Sequence, residues 1–184
     1  MLKLIITDFD GTLVDTFKAN FRAYEMSFAS LGLVLTEEHY SSCFGLRFDD
    51  FMKVSGIVEE EKRLIKERKR IYYPDYFHLL KPNSALLGII RHFKSSGGLT
   101  AVASTAARTN LLNALRHIGA LEDFDLILSG ESVLHGKPAP EIYLKVLEYF
   151  DIPPYEALVF EDSDIGCKAA LNAGIPVIRI SDFN

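Results

Sequence analysis

The sequence predicts an α/β protein in which an open parallel sheet lies between two layers of helices and a second, helical unit is inserted. Short aliphatic runs of strand length alternate with amphipathic helical patterns through most of the 184 residues. Strands that alternate with helices in this way are parallel and joined by right-handed crossovers. Residues 16–80 break the alternation, because they carry helical patterns without a convincing strand and are too long for a simple crossover.

The individual elements follow from the same periodicities. Aliphatic runs predict strands at residues 2–7, 99–104, 124–129, 157–161 and 175–180. Apolar residues at helical spacing predict helices at residues 17–31, 59–73, 84–94, 109–118, 141–150 and 165–173. We therefore expect a core made of residues 1–15 and 81–184 and a helical cap at residues 16–80, bounded by Pro82.

Composition indicates an ordinary soluble globular protein. With 48% hydrophobic and 24% charged residues, the chain can bury a substantial core. Its net charge of −5 provides no basic face for nucleic acid, and no apolar run is long enough for a membrane span. Cys43 and Cys167 are too few for a disulfide framework or a zinc motif, so we expect reduced thiols in a cytoplasmic protein.

The stretch TDFDGTLVDT at residues 7–16 places two carboxylates directly after the first predicted strand. Ionised carboxylates at the end of a buried strand cost free energy unless a cation or hydrogen-bond donors compensate them. Side chains alternate along an extended segment, so Asp8 and Asp10 leave the chain on the same side. An Asp-Gly turn would account for one of these aspartates only. We therefore expect positive charge beside the pair.

Other strand ends carry groups that complement these acids. Ser104 and Thr105 close one strand, Lys137 lies in GKPAPE after the next strand, and Glu161 and Asp162 close another. The carboxyl ends of parallel strands meet at one edge of a sheet, where ligands bind. Carboxylates hold Mg²⁺, whereas a hydroxyl and a lysine donate to phosphate oxygens. This edge therefore predicts phosphoryl transfer on a small phosphorylated substrate.

Two neighbouring acids permit a division of labour in that reaction. One carboxylate can attack phosphorus and form an aspartyl phosphate, while the other protonates the leaving alkoxide and then activates water. Gly11 allows the backbone after Asp10 to turn closely around the phosphate and expose amide donors. Neighbours in a strand point in opposite directions, so only one of Ser104 and Thr105 can present its side chain.

Four motifs in order, DFDGTLVDT, AVAST, GKPAPEIY and VFEDSDIG, resemble those of the haloacid dehalogenase superfamily, specifically its phosphatases with a helical cap after the first motif. The resemblance covers nearly the whole chain and implies a Rossmann-like core, a mobile cap and Mg²⁺ dependence. It implies that Asp8 is the nucleophile and Asp10 the general acid/base.

The same resemblance assigns the remaining site residues. Ser104 and Lys137 would bind the phosphoryl group, Thr105 would contribute through its backbone amide, and Gly11 and Thr12 would lie in the loop beside the phosphate. The implied metal ligands are Asp8, Asp162 and the main-chain carbonyl of Asp10, with Glu161 either a ligand or linked to one.

Several alternatives stay open at this point. Phosphoglycolate or sugar phosphates suit a capped phosphatase, but β-phosphoglucomutases have a similar cap and carry a histidine where this chain has Asn20. A non-catalytic module that binds metal or phosphate through the same acids is the other reading. Asp164 serves either as a helix N-cap or as metal support, and Arg47 either lies on the surface or reaches a substrate anion.

Overall fold

A computed structural model of the chain describes residues 1–44, 46 and 48–181, so Arg47 lies outside the described residues. Contacts divide the chain into two units. One consists of Met1–Asp15 together with the chain from Lys81 onward, and the other consists of Thr16–Leu80.

The strands are β1 (Leu4–Thr7), β2 (Val14–Asp15), β3 (Lys81–Pro82), β4 (Leu99–Ala103), β5 (Leu126–Leu128), β6 (Ala157–Glu161) and β7 (Val177–Arg179). The helices are α1 (Phe17–Ala29), α2 (Glu37–Cys43), α3 (Phe48–Val54), α4 (Glu59–Tyr72), α5 (Ser84–Ser95), α6 (Arg108–His117), α7 (Glu141–Phe150) and α8 (Asp164–Asn172). Short 3₁₀ helices lie at Tyr73–Leu79, Leu121–Asp123, Gly130–Ser132 and Pro154–Glu156. None of the helices that the structure describes has the length and apolarity that a membrane crossing requires.

Five of the described strands form a parallel sheet in the order β5-β4-β1-β6-β7. The expected α/β class with a parallel sheet is therefore confirmed. The first strand in sequence is central in space, because β1 pairs with β4 on one side and with β6 on the other. In the register of these pairs, Thr7 lies opposite Val102 and Phe160. The polar residues that follow β1 and β6 thus leave the sheet at the same level.

The core of this unit explains why its central strands are mostly aliphatic. Leu4 and Ile6 of β1 and Val159 of β6 have no exposed surface, and they pack with the apolar faces of α7 and α8. A strand covered by helices on both faces of its sheet has no polar side to alternate with. Burial of such a side chain contributes about 1.5–3 kcal/mol, so the sheet is held firmly at the point where the acids emerge.

Thr16–Leu80 has a separate, aromatic core. Phe21 and Phe28 of α1 pack with Tyr40, Phe51 and other buried apolar side chains of α2, α3 and α4. Ring centroids in this cluster lie 5.6 Å apart for Tyr40 and Phe51 and 6.1 Å apart for Phe28 and Phe51. Aromatic pairs at such distances stabilise a core beyond their buried area.

Two local features are not evident from the sequence. The two-residue strands β2 and β3 pair antiparallel, a ribbon too short to give a periodic signal. Thr16 occupies the N-cap position of α1, yet its side chain makes no capping hydrogen bond. Its hydroxyl oxygen instead accepts a 3.0 Å hydrogen bond from the side-chain amide of Asn20, a residue that is buried.

Candidate active site

Asp8 is the first residue after β1, and the strand register brings it beside the end of β6. Its backbone N–H donates to the carbonyl of Phe160 at 3.0 Å, which extends the ladder by one residue. The side chain is buried, with 7% of the residue exposed. Glu161, the last residue of β6, is completely buried. The sheet itself therefore places two carboxylates side by side.

Lys137 supplies the positive charge that this pair requires. Its ammonium donates to Asp8 Oδ1 at 2.7 Å and also to Glu161 Oε1. Only 4% of Lys137 is exposed, so the residue is not a surface lysine. We call Asp8, Lys137 and Glu161 the buried ion cluster. It joins β1, the loop before α7 and β6.

Glu161 is held from both of its oxygens. The hydroxyl of Tyr143 donates to Oε1 at 3.0 Å, and the hydroxyl of Ser163 donates to Oε2 at 3.1 Å. The first turn of α8 passes so close to this carboxylate that a Cβ built on Gly166 would overlap it. The orientation of Glu161 is consequently fixed by two hydroxyls and by the absence of a side chain at Gly166.

Asp162 faces the loop that follows β1. The Thr12 hydroxyl donates to Asp162 Oδ1 at 2.9 Å, and a Cβ built on Gly11 would overlap the Asp162 carboxylate. Gly11 has a φ of +84°, which favours glycine. Its amide donates to the carbonyl of Val14 at 2.9 Å, so this N–H serves the loop itself. The glycine is explained by its conformation and by the close approach of Asp162.

Ser104 and Thr105 differ in burial, as neighbours in an extended segment are expected to. Ser104 is 1% exposed, whereas Thr105 is exposed. The Ser104 hydroxyl oxygen accepts a 3.0 Å hydrogen bond from the amide of Ala106. Because the oxygen is an acceptor there, the hydroxyl proton is left to donate elsewhere. Ser104 is thus the better placed donor of the two.

Asp10 and Asp164 are not members of the buried ion cluster. Asp10 is half-buried and forms a bridge with Val14. Asp164 is not the N-cap of α8, because Ser163 occupies that position and accepts from the amide of Gly166 at 3.1 Å. The Asp164 side chain is exposed and pairs with Arg179. The N-cap reading of Asp164 is therefore wrong, whereas its role in metal support stays a prediction.

The loop that carries Lys137 is anchored by Glu141, the first residue of α7. Glu141 Oε1 accepts from the amide of Leu134 at 2.9 Å, and Oε2 accepts from the amide of His135 at 2.8 Å. These backbone hydrogen bonds lower the pKa of Glu141 from 4.5 to about 2. An ionised Glu141 thus stabilises the loop just before Lys137.

Burial dominates the electrostatics of the site. It raises the pKa of Asp8 well above its ordinary value, with Lys137 acting in the opposite direction, and it raises the pKa of Asp162 as well. Burial alone would lower the pKa of Lys137, but Asp8, Tyr143 and Glu161 outweigh it and raise that pKa. Lys137 therefore stays an ammonium. Its single positive charge does not offset the effect of burial on Asp8 and Asp162, whose pKa values remain raised.

The residues present fit a divalent cation. Asp8, Glu161 and Asp162 each offer a carboxylate oxygen, and these oxygens lie within 4.8 Å of one another. The carboxylate of Asp10 is not part of this group. An all-oxygen set suits a hard ion such as Mg²⁺. When ionised, the three acids exceed the single charge of Lys137, and a divalent cation would balance the remainder.

Comparison of the sequence with known proteins identifies the family of this chain. The sequence matches the haloacid dehalogenase-like hydrolase family over residues 5–180. The chain belongs to that family. It is 32% identical over 182 residues to the phosphorylated carbohydrates phosphatase of Thermotoga maritima, a match that covers 95% of this chain and 82% of that protein.

Two further relatives bear on the chemistry. A crystal structure of a CbbY mutant from Rhodobacter sphaeroides, in complex with xylulose-(1,5)bisphosphate, is 28% identical, has a TM-score of 0.86 and covers 100% of this chain and 88% of that chain. The β-phosphoglucomutase of Bacillus subtilis is 25% identical over 190 residues, which cover 97% of this chain and 83% of that protein. Members of the family thus include proteins named as phosphatases and as a phosphoglucomutase.

Sequence reasoning did not single out the residues that support Glu161 and the Lys137 loop. Tyr143 lies on the buried face of α7 among Ile142, Val146 and Leu147, a pattern that reads as ordinary core. A tyrosine on such a face needs a partner for its hydroxyl, and this was the available signal. Glu141 and Ser163 carry no signal apart from their place at helix starts.

Gly166 and Gly88 provide a matched pair of substitutions. In Gly166→Ala the new methyl group would overlap Glu161, and we expect a loss of about 1–3 kcal/mol in the free energy of unfolding. In Gly88→Ala, within α5, a Cβ meets no atom within 4 Å, and we expect a gain of about 0.5–1 kcal/mol. Urea unfolding of both variants and the wild type measures the difference, and equal effects would contradict the packing around Glu161.

The anchoring by Glu141 predicts a defined pH dependence. Its pKa is lowered from 4.5 to about 2, so ionised Glu141 stabilises the folded state fully above about pH 4.5, and this contribution disappears as the pH falls to about 2. The urea midpoints of wild type and Glu141→Gln should differ at neutral pH and converge over that interval. Glu148→Gln, an exposed change on the same helix, is the control. A difference that stays constant down to pH 2 would refute the anchoring.

Proposed function

We propose that the protein is a Mg²⁺-dependent phosphatase of small phosphomonoesters that works through an aspartyl phosphate. The observation that carries this proposal is the buried ion cluster at the carboxyl edge of a parallel sheet, with Asp162 beside it. A nucleophilic carboxylate, a fixed ammonium and spare carboxylate oxygens in one place suit phosphoryl transfer. Membership of a hydrolase family supports the same reaction.

In the first step, a carboxylate oxygen of Asp8 attacks phosphorus and the bond between phosphorus and the ester oxygen breaks. Asp10, in its protonated form, gives its proton to the departing alkoxide. Lys137 and the Ser104 hydroxyl donate to the phosphoryl oxygens. Since these donors are buried and held in place, they need no rearrangement as charge develops.

In the second step, a water molecule attacks the phosphorus of the aspartyl phosphate. Asp10, now a carboxylate, takes a proton from that water, and the bond from phosphorus to the Asp8 oxygen breaks. Inorganic phosphate leaves and the Asp8 carboxylate is restored. The proton that Asp10 gave in the first step is thereby returned.

Asp8, Asp162 and the main-chain carbonyl of Asp10 would hold Mg²⁺, with Glu161 a further ligand or a support for one. When bound, the ion neutralises charge shared by the acids and the phosphoryl group. The shape of the loop beside these ligands depends on Gly11 and Thr12, through the close approach and the hydrogen bond to Asp162.

We place the substrate among phosphoglycolate and sugar phosphates. The support comes from relatives: one is named a phosphatase of phosphorylated carbohydrates, and another binds a sugar bisphosphate. We further propose that Thr16–Leu80, a separate unit, is the cap and carries the selectivity for the organic part of the substrate. The free thiols of Cys43 and Cys167 support a cytoplasmic location.

A β-phosphoglucomutase-like phosphotransferase is the second candidate, favoured by the relative of that name in Bacillus subtilis. In such a reaction the phosphoryl group on Asp8 would pass to a second hydroxyl of the sugar instead of to water. Asn20 weighs against this second candidate. Its side-chain amide cannot exchange a proton as the histidine of the mutases can, and that amide already donates a hydrogen bond to Thr16. An isomerisation assay with β-glucose 1-phosphate separates the two candidates.

Substitution of the two acids tests the covalent mechanism. With a panel of phosphomonoesters and Mg²⁺, Asp8→Asn should lower phosphate release by at least about a thousandfold, because an amide is a poor nucleophile. Asp10→Asn should lower it by about 10²–10⁴-fold. With p-nitrophenyl phosphate, whose leaving group needs little protonation, Asp10→Asn should accumulate a phosphoryl adduct that intact mass reveals.

Glu148→Gln is the control for these variants, because Glu148 is an exposed acid that does not belong to the proposed site, and its activity should equal that of the wild type. Wild-type release by Asp8→Asn would refute the aspartyl phosphate. No release from any ester by the wild type, together with no isomerisation, would refute both enzymatic candidates and favour a binding module.

Removal of the metal tests the ligand set. A chelator should abolish phosphate release and added Mg²⁺ should restore it, because the buried acids need the positive charge. Asp162→Asn should raise the Mg²⁺ concentration for half-maximal activity by at least about tenfold. Undiminished activity in the chelator, after dialysis against it, would overturn the metal assignment.

A further inference from the structure

Tyr143 contacts both charged partners that face Asp8 across the buried ion cluster. Its hydroxyl donates to Glu161 Oε1 at 3.0 Å, and the Lys137 ammonium nitrogen lies 5.1 Å from the centre of its ring. The residue has no exposed surface. One side chain thus reaches the acid through its polar end and the cation through its face.

The hydroxyl determines how Glu161 presents its charge. Oε1 accepts from Tyr143 and from Lys137, whereas Oε2 accepts from Ser163. With donors on both oxygens, the plane of the carboxylate is fixed. Without the tyrosine hydroxyl, Oε1 would keep only Lys137 as its donor, so the carboxylate would be held less firmly on the side that faces the ammonium.

The position of the Lys137 ammonium determines where its remaining N–H group can donate. A lysine ammonium has three N–H groups, of which Asp8 and Glu161 use two. The third N–H is directed by the positions of the other two. A shift of Glu161 therefore changes where Lys137 can place its remaining hydrogen bond.

We infer that Tyr143 is a positioning residue, which fixes Glu161 and thereby holds the third N–H of Lys137 where it meets the phosphoryl group. The inference rests on the proposed function for the identity of that group. Tyr143 does not touch the reacting atoms. It acts from α7, whose first turn also anchors the Lys137 loop through Glu141.

Tyr143→Phe removes the hydroxyl and keeps the ring. We expect kcat/KM for the preferred ester to fall about tenfold, the equivalent of one hydrogen bond to a charged group. The inhibition constant of inorganic phosphate should rise by a similar factor, since phosphate meets the same N–H. Tyr143→Leu, which removes the ring contact as well, should cost more than Tyr143→Phe.

Tyr149→Phe is the matched control. Tyr149 lies on the same helix with 64% of its surface exposed, so loss of its hydroxyl should leave kcat/KM and phosphate inhibition unchanged. An equal loss in both variants, or no loss in Tyr143→Phe, would overturn the inference.

A double-mutant cycle separates positioning from general structural damage. In a Lys137→Met background, Tyr143→Phe should change the residual kcat/KM by less than about twofold, because the group that it positions is gone. A tenfold effect that persists in this background would show that Tyr143 acts independently of Lys137. If Lys137→Met does not fold, Glu161→Gln provides the alternative background with the same expectation.

The same cycle on urea unfolding does not depend on any activity. The factor by which Tyr143→Phe raises the unfolding constant should differ by at least about threefold between the wild-type and Lys137→Met backgrounds. Equal factors would refute the coupling. If the wild type hydrolyses no ester, the proposed function fails, and this unfolding cycle still decides whether Tyr143 and Lys137 act together.

Discussion

The ammonium of Lys137, buried between the carboxylates of Asp8 and Glu161, is the interaction on which the rest of the site depends. Each of these charges lies almost out of reach of water, where an unpaired charge is very costly. Removal of one partner from a buried ion pair typically destabilises a protein by about 3–5 kcal/mol. The cluster also joins β1, β6 and the loop before α7, so the same contacts hold together three segments that are distant in sequence.

Small residues make this concentration of acids possible. Gly11 and Gly166 each lie so close to a carboxylate, of Asp162 and of Glu161 respectively, that a methyl group would overlap it. The backbone can therefore approach the acids directly, and their charges are packed tightly instead of being spread through solvent. The raised pKa values of Asp8 and Asp162 are the electrostatic expression of the same crowding. Crowded acids of this kind favour a bound cation, which connects the electrostatics of the unit with its proposed chemistry.

Much of the fold could be predicted from the sequence because its central strands are buried on both faces. The aliphatic runs at β4 and β6 matched the observed strands to within one residue, and strand-end reasoning anticipated that Asp8, Lys137 and Glu161 would lie near one edge. The β2–β3 ribbon was missed because two-residue strands have no periodicity. Tyr143 was missed for a different reason: its helical spacing is that of a core residue, and only the distance from its hydroxyl to Glu161 distinguishes it.

The place of β1 in the sheet has a consequence for the synthesis of the protein. β1 leaves the ribosome before β4 and β6, which are its neighbours in the sheet, with Leu4 paired to Leu99 and to Ala157. Non-local pairing of this kind is slow, and an unpaired apolar strand is prone to aggregation. The nascent chain must therefore keep β1 without one neighbour until β4 has been made and without the other until β6 has been made. Asp8 comes beside Glu161 only when β6 pairs with β1, so both acids stay hydrated until the sheet has formed.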